Sequence, residues 1–413
     1  KAIEELYPDR LEEFYEALAF HFKQGESSDK AIDYLIKSGE KSYDRYAVEE
    51  AHQHFKEAFD ILSSKPSRTK EEDCLLIDLL LKWAYVFYFR GDFRGLTELF
   101  GVHEELVASL GDKARLGMFF GWLGLALYCR GKARDSYRYL SKALKLGEEI
   151  EDQQVIGYAC AWLTYTCADL GPLDEAILFG ERAQEICRSR ESDRYLYLKS
   201  LGGLGQAYAY RGEVKKAFEA GEALLEYGQR HTSIRSLGMG HMTMAVAHQA
   251  DGDFPSAIEC ATRALEVSVD PFWAVCARLY LGPSYVLNGQ FQEGENVLQE
   301  TLAYSRDLGI EMLDAPVQAC LALVAVAKGQ MDEGIELAEG SLRSLLAEGR
   351  RMIYPQVAAG IGKVYGLLTG QVPQAEQKAE EHLNKAIEVA KEIGAKGIMG
   401  MAYLDLGLLH SAK

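Results

Sequence analysis

Eight glycines recur at nearly constant spacing, and this period restricts the fold more than any other feature of the chain. Each sits in a short turn-like string. The first four are Arg90-Gly91-Asp92-Phe93, Arg130-Gly131-Lys132-Ala133, Leu170-Gly171-Pro172-Leu173 and Arg211-Gly212-Glu213-Val214. The others are Asp251-Gly252-Asp253-Phe254, Asn288-Gly289-Gln290-Phe291, Lys328-Gly329-Gln330-Met331 and Thr369-Gly370-Gln371-Val372. Successive glycines are 40, 40, 40, 41, 37, 40 and 41 residues apart. Self-similarity at this interval signals stacked supersecondary units. Such arrays lengthen without enlarging one core, so 413 residues need not mean several globular domains.

Helix geometry explains the string. A glycine ends a helix by taking a left-handed conformation without a Cβ penalty. Two positions later the residue is always apolar: Phe93, Ala133, Leu173, Val214, Phe254, Phe291, Met331 or Val372. It is placed to pin the entry of a second helix onto the first. Five positions after most of the glycines comes a small residue, as at Ser136, Ala176, Ala217, Ala257, Gly294, Gly334 and Ala375. Seven positions before them comes another, as at Ala84, Gly124, Thr164, Gly205, Ala245, Gly282 and Ala322. Small side chains on both partners let two helices approach closely.

This pattern resembles the tetratricopeptide repeat. Leu281-Gly282, Tyr285, Gly289, Gly294 and Thr301 carry the likeness in one unit. Leu204-Gly205, Tyr208, Gly212, Ala217 and Leu224 carry it in another. The standard unit has 34 residues. Here the surplus falls between units, as in Leu110-Gly111-Asp112-Lys113 and Glu191-Ser192-Asp193-Arg194, with helices of roughly 16 residues and about 24 Å. The fold expected is an all-α superhelical solenoid of antiparallel helix pairs.

Residues 72–413 are assigned to tandem repeats with a truncated last unit, 63–71 to a loop, and 1–62 to atypical helical repeats. In the last of these, Arg10 to Lys23 and Asp29 to Ser38 read as one hairpin, with Leu11, Phe14, Leu18 and Phe22 at helical spacing. Ala47 to Leu62 reads as the second helix of a unit. The initial Lys1, and Gly407 seven positions before a turn that would fall at 414, are read as marks of a longer parent chain.

Composition narrows the function classes. The net charge of −17 and the lack of a basic cluster argue against nucleic acid. The longest uncharged apolar run, Leu116 to Cys129, is too short to span a bilayer. Eight cysteines without a Cys-x-x-Cys pair read as reduced, buried side chains of a cytoplasmic protein. No phosphate loop, dinucleotide fingerprint or nucleophile elbow occurs. His103-Glu104-Glu105 starts like a zincin motif, but Val107 stands where the second histidine belongs. His52 and His54 point to different helix faces, and His241 and His248 read as packing or surface residues. No catalytic, metal or cofactor site is expected.

The tyrosines supply the site candidates. In a tetratricopeptide superhelix the first helices line a concave groove. The register places Tyr85, Tyr88, Tyr128, Tyr158, Tyr165, Gln206, Tyr210, Met239, Met242 and Gln249 there. An aromatic and methionine surface suits capture of a protein or peptide; the competing reading is packing between long helices. In later units the same positions turn apolar, as at Leu279, Val286, Leu323, Val326, Val364 and Leu367. This reads as a tightly closed superhelix or as a surface that a partner covers.

The chain ends add a second resemblance. Ala2-Ile3-Glu4-Glu5-Leu6-Tyr7-Pro8-Asp9-Arg10-Leu11, Ala31-Ile32-Asp33-Tyr34-Leu35 and Glu392-Ile393-Gly394-Ala395-Lys396-Gly397-Ile398 look like parts of bacterial class III adenylate/guanylate cyclases. In those proteins the cyclase is fused to an AAA/STAND-type ATPase and a long repeat tail. The resemblance implies a non-catalytic, cytoplasmic regulatory module that binds a partner protein or peptide, or the parent's own ATPase segment. The alternative is a sensor with a peptide or small molecule in the groove.

Overall fold

The computed structural model describes residues 2–25, 27–171, 173–189 and 193–411. Lys1, Glu26, Pro172, Arg190, Glu191, Ser192, Ala412 and Lys413 lie outside the described residues. Among those described there are 22 α-helices, two short 3-10 segments and no strand. The helices pair antiparallel in chain order, as in Lys113–Cys129 with Ala133–Glu149, Arg194–Arg211 with Val214–Arg230, and Pro271–Leu287 with Phe291–Leu308.

One unit shows how the sequence makes the pair. Asp112 caps the first helix, accepting from the Ala114 and Arg115 amides. At the other end the Gly131 amide donates to the Tyr128 carbonyl and the Lys132 amide to Leu127, both at 2.9 Å. All eight turn glycines have positive φ, from 71° at Gly131 to 153° at Gly171. Small residues seat their partners as expected. A Cβ at Gly124 would lie 2.7 Å from Leu140, and one at Gly282 would lie 2.7 Å from Leu298, both across the hairpin.

A second series of left-handed residues joins one hairpin to the next: Gly111, Glu151, Thr232, Gly309, Gly349 and Gly394. The sequence period missed it because two of its members are not glycine. Two irregularities also depart from expectation. After Gly91 the second helix is broken into Phe93–Gly101 and Glu104–Ser109. Near the start, Pro8–Phe14 is a 3-10 segment, so the α-helix expected from Arg10 begins at Tyr15. The helix expected over Asp29 to Ser38 runs longer, Ser28–Asp44, and packs on both Tyr15–Gln24 and Val48–Ser63.

The superhelix closes on itself. Trp273 Nε1 donates to the Tyr88 hydroxyl at 3.2 Å across 185 residues. Arg350 Nε donates to Asp169 Oδ2 at 2.8 Å across 181 residues, and the Met352 amide donates to the Asp169 carbonyl at 3.0 Å. Arg130 reaches Glu311 at 3.3 Å, also across 181 residues. Arg235 makes a two-pronged pair with Asp270 (2.8 and 3.0 Å) while its guanidinium covers Tyr43, Tyr46 and Phe89. Asp270 precedes a helix, where other aspartates cap, but its carboxylate goes to Arg235 instead. The accessible surface, 18090 Å², is near the roughly 16,000 Å² of a compact protein of this mass.

Two turns separate the cost of closure from the cost of the turn. Gly91 and Gly252 share a φ of 81°. A Cβ at Gly252 meets nothing within 4 Å, whereas one at Gly91 meets Leu308 of the next superhelical turn at 3.0 Å. In denaturant titrations Gly252→Ala is expected to lose about 1–2 kcal/mol, the left-handed penalty alone. Gly91→Ala is expected to lose more, and equal losses would contradict the closure.

Candidate functional site

First helices line the inside of the superhelix, and the ten sequence-derived candidates all face inward, each buried or half-buried. They do not form an open trough. They divide among an aromatic plug and two adjoining chambers. Tyr85 and Tyr158 belong to the plug, with their hydroxyls 2.5 Å apart and Tyr158 donating to Asp193 at 3.3 Å. Tyr195 and Trp122 complete it, their rings 5.2 and 4.6 Å from that of Tyr85.

Six candidates line an inner chamber of about 100 Å³: Tyr88, Tyr128, Tyr165, Gln206, Met239 and Met242. Gln206 also borders an outer chamber of about 260 Å³, with Tyr210 and Gln249. The two chambers meet at Gln206, Val246, Leu279, Tyr280 and Met312, which line both. Gln206 donates to the Tyr210 hydroxyl at 2.8 Å. Gln249 donates to the Tyr280 carbonyl and to Ser284 Oγ, each at 2.8 Å, beside the in-helix Pro283. Gln249 is therefore committed to the neighbouring helix. The later apolar positions Leu279, Val286 and Leu323 form walls of the outer chamber.

Sequence reasoning passed over the residue with the most unusual surroundings. Lys199 is only 3% exposed, yet it is an amine in the middle of the molecule. Its Nζ lies 4.6 Å from the ring centre of Tyr88, 5.0 Å from Trp162, 5.4 Å from Trp273 and 5.7 Å from Tyr165. Among the described residues lining the inner chamber it is the only charged one. The register held the signal. Lys199 stands thirteen positions before Gly212, as Tyr158 does before Gly171 and Met239 before Gly252.

Burial pushes the Lys199 ammonium down to about 8. The same cause raises Cys276 to about 12 and lifts Cys129, Tyr88, Tyr128 and Tyr165 above their ordinary values. These thiols and phenols stay protonated at neutral pH, which argues against a thiolate nucleophile. All eight cysteines are unpaired. His52 accepts from Trp83 Nε1 at 3.1 Å and lies 2.9 Å from Arg90, and burial lowers it to about 4. His248 has a carboxylate neighbour that the sequence did not reveal, Asp253 at 3.5 Å. Among the described residues no three His, Cys, Asp or Glu side chains cluster as metal ligands. No described helix is long and apolar enough to cross a membrane.

Together these features define a tetratricopeptide-like helical solenoid whose successive turns touch around a small interior. No protein-family model and no curated protein matches the chain. Solved structures do. The apo form of the quorum sensor NprR from B. thuringiensis matches at 12% identity and a TM-score of 0.51, covering 89% of this chain and 99% of that one. Aspartyl phosphate phosphatase F from Bacillus subtilis matches at 13% and 0.51, covering 88% and 95%. A STAND protein with a tetratricopeptide repeat sensor from Pyrococcus horikoshii reaches 15% and only 0.43, covering 84% of this chain and 53% of its own. At such identities the likeness is one of fold.

The pH dependence of stability tests the Lys199 environment. Between about 8 and about 10.4 the unfolded chain keeps a proton on this amine that the folded chain has released, so Lys199 makes stability rise with pH there. Lys199→Met removes the buried charge. It is expected to stabilise the chain at pH 7 by on the order of 1–3 kcal/mol, the ring contacts offsetting part of the desolvation. That advantage should shrink as pH climbs through the window. A pH-independent difference between the two proteins in urea titrations would contradict the assignment.

Proposed function

We propose that this chain is a non-catalytic, cytoplasmic regulatory module that senses a small ligand held inside its closed superhelix. The observation that carries the reading is the narrow, partly open interior between the superhelical turns. A trough open to an incoming helix or peptide would leave its aromatic wall in solvent, whereas these residues are buried around two chambers. A cavity of 150 Å³ suffices for benzene, and the outer chamber is larger. Its few charged lining groups are mutually occupied, Arg350 with Asp169 and Lys363 with Asp405 at 3.1 Å. Closure across distant repeats supplies the coupling. A ligand between the superhelical turns bears on contacts that hold the whole array.

A protein partner has separate support. The final helix, Lys396–Ser411, leaves Tyr403, Leu404 and Leu408 exposed, Leu404 by 65%. In this reading the parent protein carries the cyclase and ATPase segments that the chain ends resemble, and the exposed face meets another part of it. The division into 1–62, 63–71 and 72–413 belongs to the same proposal.

Filling the outer chamber tests the sensing role. A Cβ at Gly360 meets nothing within 4 Å, and Gly360 lines that chamber. Gly360→Phe is expected to fold normally, and a metabolite that raises the melting temperature of the natural chain should no longer do so. If the shift persists in Gly360→Phe, the ligand binds elsewhere and the reading fails.

A further inference from the structure

Among the described residues, Lys199 is the one deeply buried ion that has no counter-ion. The two other deeply buried cations, Arg235 and Arg350, each hold an aspartate in hydrogen-bonding geometry. Lys199 has four ring faces instead. These stabilise its charge but offer no lone pair to its three N–H groups. Among the described residues no carboxylate or carbonyl oxygen accepts from it. The amine is nine-tenths buried and lines a chamber. That chamber opens toward an apolar one walled by Leu279, Val286, Leu323, Val357 and Ile398.

We propose that the inner chamber receives the carboxylate of an amphipathic ligand, with Lys199 as its counter-ion and the apolar body lodged in the outer chamber. This rests on the sensing reading above and specifies the chemistry of its ligand. Charge balance selects a monoanion. A phosphate head carries about −1.5 to −2 at neutral pH and would leave charge unpaired among apolar walls. Size agrees. The inner chamber, at about 100 Å³, takes a head group, and the outer, at about 260 Å³, takes a hydrocarbon body. Tyr165, Gln206 and Tyr128 supply the polar edges of the same chamber.

The test uses straight-chain probes by calorimetry on the full chain. Octanoate, decanoate and dodecanoate are compared with the matching alcohols and alkyl phosphates. A charge-assisted hydrogen bond is worth about 1.5–3 kcal/mol, so at least one carboxylate should bind about tenfold or more tighter than its alcohol. It should also bind tighter than its phosphate. Lys199→Met should erase that preference while alcohol binding persists. A measurement without mutation guards against misfolding. Carboxylate affinity should fall as pH rises past about 8 and Lys199 loses its proton, while alcohol affinity stays flat. The groups facing the amine from adjoining helices, Tyr88, Cys129, Tyr165 and Cys276, remain protonated in that range because burial raises all four. Equal binding of carboxylates and alcohols overturns the counter-ion role and leaves ligand sensing standing. A preference for the phosphates overturns the monoanion. Binding of none of the probes, with a metabolite still shifting the melting temperature, also overturns the carboxylate and spares the sensing reading.

Discussion

Two buried arginines hold together parts of the chain that the repeat pattern alone would leave apart, Arg350 through Asp169 and Arg235 through the rings of Tyr43, Tyr46 and Phe89. Arg350 and Asp169 are each about 5% exposed or less and lie 181 residues apart. Arg235 and Asp270 are similarly buried, and the arginine also roofs three rings of the N-terminal units. Desolvating such ions costs nearly as much as their attraction returns, so their role is less to add stability than to permit one arrangement. The Arg350–Asp169 pair, the rings under Arg235, the Tyr88–Trp273 hydrogen bond and the glycine contacts between turns all belong to one winding of the superhelix. The rest of the interior follows from that winding.

Closure changes what the inner wall is for. In a loosely wound solenoid the aromatic first helices present a surface. Here opposite walls approach until Tyr88 and Phe93 from one turn touch Phe272 and Trp273 from the next. Between them lie two small chambers with mostly apolar walls, and among the described residues Lys199 is the one charged group lining the inner chamber. Burial raises the phenols and thiols that face the inner chamber above their ordinary values and keeps them protonated at neutral pH.

The repeat was legible because it is local. Turn glycines, the apolar residues that follow them and small interlocking residues act within one hairpin, and each left its mark at a fixed offset. The inward-facing positions followed from the same offsets. Lys199 occupied one of them and was passed over, because the register was read for tyrosine, methionine and amides, and a lysine at a groove position suggests solvent. Closure itself was not legible. Its partners lie more than four repeats apart, and nothing in the spacing links Asp169 to Arg350. The hairpin-to-hairpin joints escaped for another reason. Glu151 and Thr232 take left-handed conformations that their residue types do not announce.

The central claim is that successive superhelical turns touch, and a cross-link reads this contact directly. An ideal Cβ on Gly309 would lie 3.6 Å from that of Arg94, within the range a disulfide needs. The native cysteines are buried or half-buried, so they compete little with an introduced pair. Under mild oxidation the Arg94→Cys, Gly309→Cys double variant should form that bond in high yield, seen as a disulfide-linked peptide pair by mass spectrometry. A folded double variant whose two new thiols stay free under the same conditions would contradict the closed superhelix and, with it, the chambers between its turns.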